Sequence, residues 1–334
     1  MNKVAIIGAG IAGLSCATYL QNNGLQVTIF EKSHGPSGRI STRTGSHDHA
    51  LQSLPWQCDH GAQYFTARDA NFYAEVIGWQ QAGVAAIWSP KLQTTDGIQF
   101  IDKADTVQRF VGVGTNTAPA KFLAQSLHLQ VKTTIDQIEQ QQNSWRLCSI
   151  ENGWHSDNFD AVLFAIPAPQ VAPVLGLYAP TLKKIAESVT MLGCWALMCR
   201  FTEPLHLPFD GLFVNNGILS WVARDSAKPG RAHYPQETWV LHASAAWSEA
   251  HIEDDADAVA AKMIAAFVAL GGSAPQAYTA HRWRYAQCAE HLECGFAYDN
   301  DSNIGLCGDW INAGKVQGAW LSGMLLAQKI ITQF

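Results

Sequence analysis

Residues 4–31 read VAIIGAGIAGLSCATYLQNNGLQVTIFE, and this stretch decides the fold. Residues 4–7 are a short, wholly apolar run, as expected of a strand covered on both faces. A helix is predicted from Ile11 to about Asn23, with Gly24 as its C-cap. Residues 25–30 predict a second strand, and Glu31 stands at its carboxyl end. Between the first strand and the helix lies Gly8-x-Gly10-x-x-Gly13, the context that gives this motif meaning. Gly8 permits the tight turn, Gly10 lets a pyrophosphate approach the backbone, and Gly13 lets helix and strand pack closely. The amides of Ile11 and Ala12 open the helix, where free N–H groups and the dipole favour phosphate. Glu31, 18 residues after Gly13, can accept hydrogen bonds from ribose hydroxyls, and Lys32 beside it is a further cofactor candidate. A carboxylate there repels a 2′-phosphate, which disfavours tightly bound NADP. The competing reading is a glycine-rich turn with structural duty alone.

This motif does not choose between NAD and FAD; two features further along favour FAD. Gly38-Arg39 follows the second strand and puts a guanidinium where it can pair with a pyrophosphate. Residues 304–323, IGLCGDWINAGKVQGAWLSG, supply Gly308-Asp309 after a strand, then Val316-Gln317-Gly318 at a helix start. An aspartate there can hold a ribityl hydroxyl, and helix-start amides suit a flavin edge that becomes negative on reduction. An ordinary strand–loop–helix would read much the same.

Outward from these ends, the chain predicts a helix near 70–82, a proline-started helix over 121–127, and short strands at 131–138, 145–150 and 154–159 that form a meander. A buried strand follows at 161–166. The middle section mixes strands (192–201, 239–245) with one helix whose acidic start, Glu253 to Asp257, is read as capping and not as a metal site. Because nucleotide-binding signals sit at both ends, the two domains should be interleaved. The expected FAD-binding domain is 1–59, 108–169 and 281–334; a smaller α+β substrate domain takes 60–107 and 170–280.

The 334 residues carry 22 Lys+Arg against 28 Asp+Glu, a formal charge of −6, which argues against duplex nucleic acid or an anionic membrane as partner. With 48% hydrophobic and 15% charged residues the chain can bury a large core. No secretory signal or apolar run of membrane-spanning length is legible, and the eight cysteines form no CxxC. A reduced, cytoplasmic protein without a metal site is expected.

Several stretches together resemble the bacterial renalase-like FAD oxidoreductases, a branch of the flavin amine oxidase superfamily. They are VAIIGAGIAGLS, SGRISTR (37–43), DHGAQYFTARD (59–69), VLFAIPAPQ (162–170), HRWRYA (281–286) and CGDW…VQGAWLSG. The resemblance runs from Val4 to about Gln328, and its third and fifth motifs are the specific ones. It implies a fold like that of p-hydroxybenzoate hydroxylase: a Rossmann-type FAD domain with a second domain whose sheet roofs the flavin. It implies an activity too, the oxidation of 2- and 6-dihydro isomers of NAD(P)H, with hydride passing to flavin N5 and dioxygen returning as hydrogen peroxide. By the same resemblance His242, Trp283 and Trp310 should face the isoalloxazine, and the backbone of Val131, opening the meander, should meet the adenine edge.

From the residues alone, His242 reads first as a satisfied structural histidine, and the His281/Trp283/Tyr285 stripe first as core. Arg282 and Arg284, on the opposite face, are either solvated or an anion site. Gln63 and Tyr64 are expected on a loop near the ring. Ser37 stands where the superfamily usually has glycine, and no cysteine is placed to tether a flavin, so non-covalent FAD is expected. A small-molecule substrate and dioxygen are the expected partners. Two rival functions are a flavin amine oxidase of a small amine and a non-catalytic FAD-binding redox sensor.

Overall fold

The computed structural model describes residues 2–45, 55–104, 106–231 and 236–333. The chain alternates between two layers. β1 (Lys3–Ile7), α1 (Ile11–Asn22) and β2 (Gln26–Glu31) form the opening βαβ unit. β3 (Thr42–Gly45) and β4 (Trp56–Asp59) make an antiparallel ribbon, followed by α2 (Ala70–Gln81). β5 (Ala85–Trp88), β6 (Leu92–Thr95), β7 (Phe100–Asp102) and β8 (Arg109–Gly112) cross to the second layer and return, β8 pairing with β5. After α3 (Ala118–Ala124), β9 (His128–Val131) lies parallel to β2. β10 (Ile135–Gln141), β11 (Ser144–Ser149) and β12 (Gly153–Phe159) form the meander, and β13 (Ala161–Phe164) lies parallel to β1.

Two short helices, α4 (Ala168–Leu175) and α5 (Pro180–Glu187), lead into β14 (Met191–Phe201), β15 (Gly211–Val214), β16 (Leu219–Arg224) and β17 (Glu237–Ala243). α6 (Ala245–Ala250) and α7 (Ala256–Ala269) precede the long β18 (Ala277–Cys288). β19 (Ala297–Asp299), β20 (Ile304–Leu306) and α8 (Lys315–Ile331) close the chain. The six-stranded sheet runs β19-β20-β13-β1-β2-β9, and the seven-stranded sheet β18-β14-β17-β16-β15-β6-β7. This is the expected α/β class, a Rossmann-type layer with a second layer interleaved.

The Rossmann layer is drawn together by glycines. A Cβ at Gly13 would lie 2.0 Å from the carbonyl oxygen of Gly8, and one at Gly323 would lie 2.0 Å from that of Ala12, so α1 packs directly on the turn and α8 directly on α1. In the seven-stranded sheet, alternation sorts the side chains. Trp195, Leu197, Trp239 and Leu241 share one core with Met263 and Phe267 of α7. Met198, Trp221 and Val240 face the other way, against Trp56 and Cys58 of β4. That second face carries the candidate site.

Four expectations are corrected. Val131 ends the parallel strand β9 and does not open the meander, which starts at Ile135; Lys132, at φ 52°, turns the chain between them. The boundary expected at 281 falls inside β18, which pairs with β14 over Ala277–Trp283 and again at Gln287 and Cys288. α2 buries Phe72, Val76 and Trp79 in the Rossmann core, although it lies within the range expected for the substrate domain. α4 and α5, not foreseen as helices, bury Val171, Leu175 and Leu182 beside Ala5 and Ile7 of β1. Pro169 and Pro180 sit at or next to the first helical position, where no N–H is missed, but Pro173 lies inside α4, so a proline-rich stretch hid two helices.

Candidate active site

The cofactor side is assembled from the two chain ends. Gly8 takes φ +105° at the strand end, and a Cβ at Gly10 would meet nothing within 4 Å, so open space lies against this backbone. α1 begins at Gly10 with no side-chain cap and no acidic residue in its first turn. The amides at Ile11 and Ala12 are therefore free to receive an anion. Glu31 Oε2 accepts from the amide of Ala9 at 2.8 Å, while Oε1 accepts from the amide and hydroxyl of Ser33 at 2.9 and 2.7 Å. These bonds fix the carboxylate beneath the glycine turn and leave lone pairs for ribose hydroxyls. Register sets Val131 opposite Glu31, which places its backbone at the same edge; Lys32 is exposed beside them.

Arg39 and Asp309, 270 residues apart, meet in a two-pronged ion pair, and Arg39 Nη1 also donates to the carbonyl of Ala286 at 3.2 Å. Ser37 N bonds to Ala9 O at 3.1 Å and holds this loop against the glycine turn. Ser37 itself is extended at φ 167°, and Gly38 takes the positive φ of 57°, so serine at 37 costs nothing. α8 starts after Gly314 with no side-chain cap, carrying Val316 and Gly318 in its first turns; a Cβ at Gly318 would strike Asn312 O at 2.0 Å. Gly308 N donates to Ser322 Oγ at 2.9 Å, tying the aspartate turn to α8. Two uncapped helix starts and an open glycine backbone supply donors, and Glu31 an acceptor, that fit an FAD; Arg39 and Asp309, paired with each other, stand at the same edge.

Across from this edge, three histidines and a tryptophan converge. On β18, Trp283 and His281 lie opposite Cys194 and Ala196 of β14, and His242 of β17 flanks Ala196 on its other side. His60, from the loop after β4, caps them. Its ring stacks on Trp283 (centroids 5.1 Å, 22°), and His281 packs edge-on to both, at 4.6 and 4.5 Å. The carbonyl oxygen of His60 accepts from Trp283 Nε1 at 2.9 Å and from His242 Nε2 at 3.2 Å. A carbonyl only accepts, so His242 carries its proton on Nε2 and its Nδ1 remains an acceptor.

Burial holds all three imidazoles neutral. His60 is pushed down to about 3 by burial, aided by His281 and Arg43. His242 falls to about 4 through burial, against the pull of its bond to the His60 carbonyl, and His281 to about 4 through burial and Arg43.

Beneath the loop lies a buried quartet. Lys228 Nζ bonds Asp59 at 2.9 Å, Asp225 at 2.8 Å and Gln63 Oε1 at 3.1 Å. Arg231 bonds the same two carboxylates at 2.8 and 3.1 Å. Burial alone would raise the Asp59 carboxyl; Lys228 and Arg231 overturn this and hold it at about 2. The two charges of each sign cancel, and the loop bearing His60 is fastened to the turn after β16.

The sequence candidates thus divide. His242 and Trp283 come together, with His60 and His281 beside them; His281 was visible as a face-mate of Trp283, whereas nothing in sequence linked His60 to either. Gln63 is turned away, its amide donating to the carbonyls of Asp59 and Gly61 while its oxygen accepts from Lys228. Tyr64 packs between Trp88 and Trp221, each at 6.0 Å. Trp310 is fully buried in the Rossmann core, with Nε1 donating to Ile166 O at 3.0 Å, and does not line the site. Arg282 and Arg284 both pair with Glu253, so neither is a free anion site.

A family model described as flavin containing amine oxidoreductase matches residues 82–331, and one described as an NAD(P)-binding Rossmann-like domain matches residues 6–76. The chain belongs to the flavin-containing amine oxidoreductase family. Membership implies a flavin cofactor. Among curated proteins, it is 28% identical over 213 residues to the tRNA 5-methylaminomethyl-2-thiouridine biosynthesis bifunctional protein MnmC of Magnetococcus marinus, covering 52% of this chain and 31% of that one. It is 25% identical over 205 residues to the NAD-dependent dihydropyrimidine dehydrogenase subunit PreT of Escherichia coli K12, covering 61% and 40%. The chain therefore spans less than half the length of these relatives. Among solved structures, it superposes with a TM-score of 0.76 and 11% identity on a protein described as a protoporphyrinogen oxidase from Exiguobacterium sp. 255-15, covering 100% and 99% of the two chains. A putrescine oxidase triple mutant gives 0.73 at 12% identity, again covering 100% and 99%. Both likenesses concern the fold of the family. Among the described residues, no helix is long and apolar enough to cross a membrane.

Proposed function

We propose that this protein is an FAD-dependent oxidase of the 2- and 6-dihydro isomers of NAD(P)H, returning the aromatic pyridinium and hydrogen peroxide. One observation carries this reading over the amine alternative: the histidine cluster is uncharged near neutral pH, and the two carboxylates beneath it, Asp59 and Asp225, are neutralised by Lys228 and Arg231. An alkylammonium would find no anionic partner there. A neutral dihydropyridine ring needs none.

The FAD would be held by Gly8, Gly10, Ile11, Ala12 and Gly13 at the pyrophosphate, with Arg39; by Glu31, Lys32 and Val131 at the adenosine; and by Gly308, Asp309, Val316 and Gly318 towards the ring. We read it as non-covalent, since Cys307 is wholly buried and the positions that follow in α8 carry Ser322 and Met324, not cysteine. When bound, FAD supplies a two-electron acceptor that dioxygen can reoxidise. The protein's part is positional. Trp283, clamped to His60, offers a flat wall for a planar ring. His242, with Nδ1 free, accepts a hydrogen bond from a carboxamide N–H and so selects which ring face is presented. No proton need be removed by a strong base, because the ring nitrogen lone pair drives hydride loss and aromaticity returns.

The test is a visible spectrum of the purified protein under argon, before and after adding 2-dihydro-NAD. Bleaching of the flavin band, reversed by air with peroxide release, is expected. A flavin that stays oxidised with both dihydro isomers but bleaches with putrescine would replace this reading with amine oxidation.

A further inference from the structure

The helices of the Rossmann layer enclose a groove of about 400 Å³ where α2 crosses α1, α3 and α8. Its walls are Tyr19, Trp79, Phe122 and Trp320, none of which belongs to the histidine cluster. Tyr19 and Trp320 meet edge to face at 6.1 Å. Among these rings stands Glu75, half-buried, and no cation pairs with it among the described residues. Burial raises its carboxyl above the ordinary range, opposed only by the nearby indole of Trp79. That indole N–H, in a side chain 1% exposed, lies beside the Glu75 carboxyl but outside strict hydrogen-bonding geometry. The groove thus holds a carboxylate approached by one indole donor and paired with no cation among the described residues, between aromatic side chains.

Gly78 is a separate clue. It lies inside α2 with no positive φ, and a Cβ there would meet nothing within 4 Å. Glycine is among the poorest helix formers, and neither conformation nor internal packing requires it here. Its effect is to leave the groove open beside Glu75. A neutral apolar guest would bury that carboxylate further without a partner, and an anion would be repelled. A cation with an apolar shell satisfies both the carboxylate and the electron-rich ring faces.

We propose that this groove binds a small organic ammonium ion, paired with Glu75 and enclosed by Tyr19, Phe122 and Trp320. The site is separate from the flavin side and does not depend on the function proposed above. Titration calorimetry of the holoprotein with choline chloride, and with its uncharged isostere 3,3-dimethylbutan-1-ol, tests it. Choline should bind saturably at one site, and the alcohol about tenfold more weakly or not at all. Glu75→Gln should weaken choline about tenfold or more, whereas Gly78→Leu, at an exposed position, should abolish binding by filling the groove. The flavin spectrum should not change on choline binding. Equal affinity for the two probes, no saturable choline binding, or binding that survives in both variants would overturn the proposal. So would choline binding that perturbs the flavin band, which would move the ammonium to the flavin side and count against the neutral-substrate reading as well.

Discussion

The carbonyl of His60 receives two donors, Trp283 Nε1 and His242 Nε2, so a single backbone oxygen registers the two strand side chains proposed to face the substrate. Trp283→Phe keeps a ring and removes one donor. Loss of one neutral hydrogen bond costs about 1 kcal/mol of stability. If the indole also sets the angle of the wall, flavin reduction should slow about tenfold or more in anaerobic stopped-flow, with the flavin still bound. A variant reduced at the unchanged rate would remove Trp283 from the substrate wall. The quartet below is costlier to disturb. Lys228→Met leaves Asp59 and Asp225 sharing one cation in a fully buried site, a situation that typically costs about 3–5 kcal/mol. A urea midpoint close to the parent's would refute that account.

At the scale of elements, α1 and α8 are joined by absence of side chains. Gly323→Ala places a methyl 2.0 Å from the carbonyl oxygen of Ala12, a contact that backbone atoms cannot relieve without separating the helices. Because α1 and α8 each present an uncapped start to the expected cofactor, we expect this variant to be purified largely colourless. Full retention of flavin would contradict it. α7 offers a milder case: Asp255 accepts from the amides of Asp257 and Ala258 at 2.9 and 3.2 Å, so Asp255→Ala should cost about 1 kcal/mol in chemical denaturation and leave flavin content unchanged. The acidic run before α7 was legible as a cap, but its remaining members are set by folding: Glu253 reaches Arg282 and Arg284, and Asp254 reaches His251 and Lys262. The pairs from Glu253 reach β18, about thirty residues on, and no spacing along the chain announces them.

For the whole molecule, protonation of the buried groups governs stability below neutral pH. The folded-state values of His60, His242 and His281 lie below that of a free histidine. The unfolded chain therefore takes up protons first, beginning near pH 6.5, and stability falls as pH drops from there towards 4. At pH 5, the fully buried His60 alone accounts for a loss of roughly 1–2 kcal/mol. Asp59 extends the effect: its value is depressed to about 2, so its contribution is complete above the unfolded value near 4 and disappears as pH falls through 2. Denaturant midpoints at pH 7, 6 and 5 should decline steadily, and His60→Asn should flatten the slope. An unchanged slope in that variant would show that the pH dependence lies elsewhere.

The sequence alone determined the βαβ opening, Glu31 at the strand end, Arg39 after it, Asp309 and the helical tail, because local periodicity and glycine placement act within about thirty residues of chain. Their proposed use as one cofactor edge is suggested by the fixed offset of each half of the motif from its strand. Tertiary structure decided what lay beyond that reach. It turned Gln63 inward to Lys228, withdrew Trp310 into the core, and brought His60 onto strands that follow it by nearly two hundred residues. The physical reason is that a buried donor or charge must find a partner wherever the fold supplies one. That partner is chosen by the packing of two sheets, which no single stretch of this chain contains.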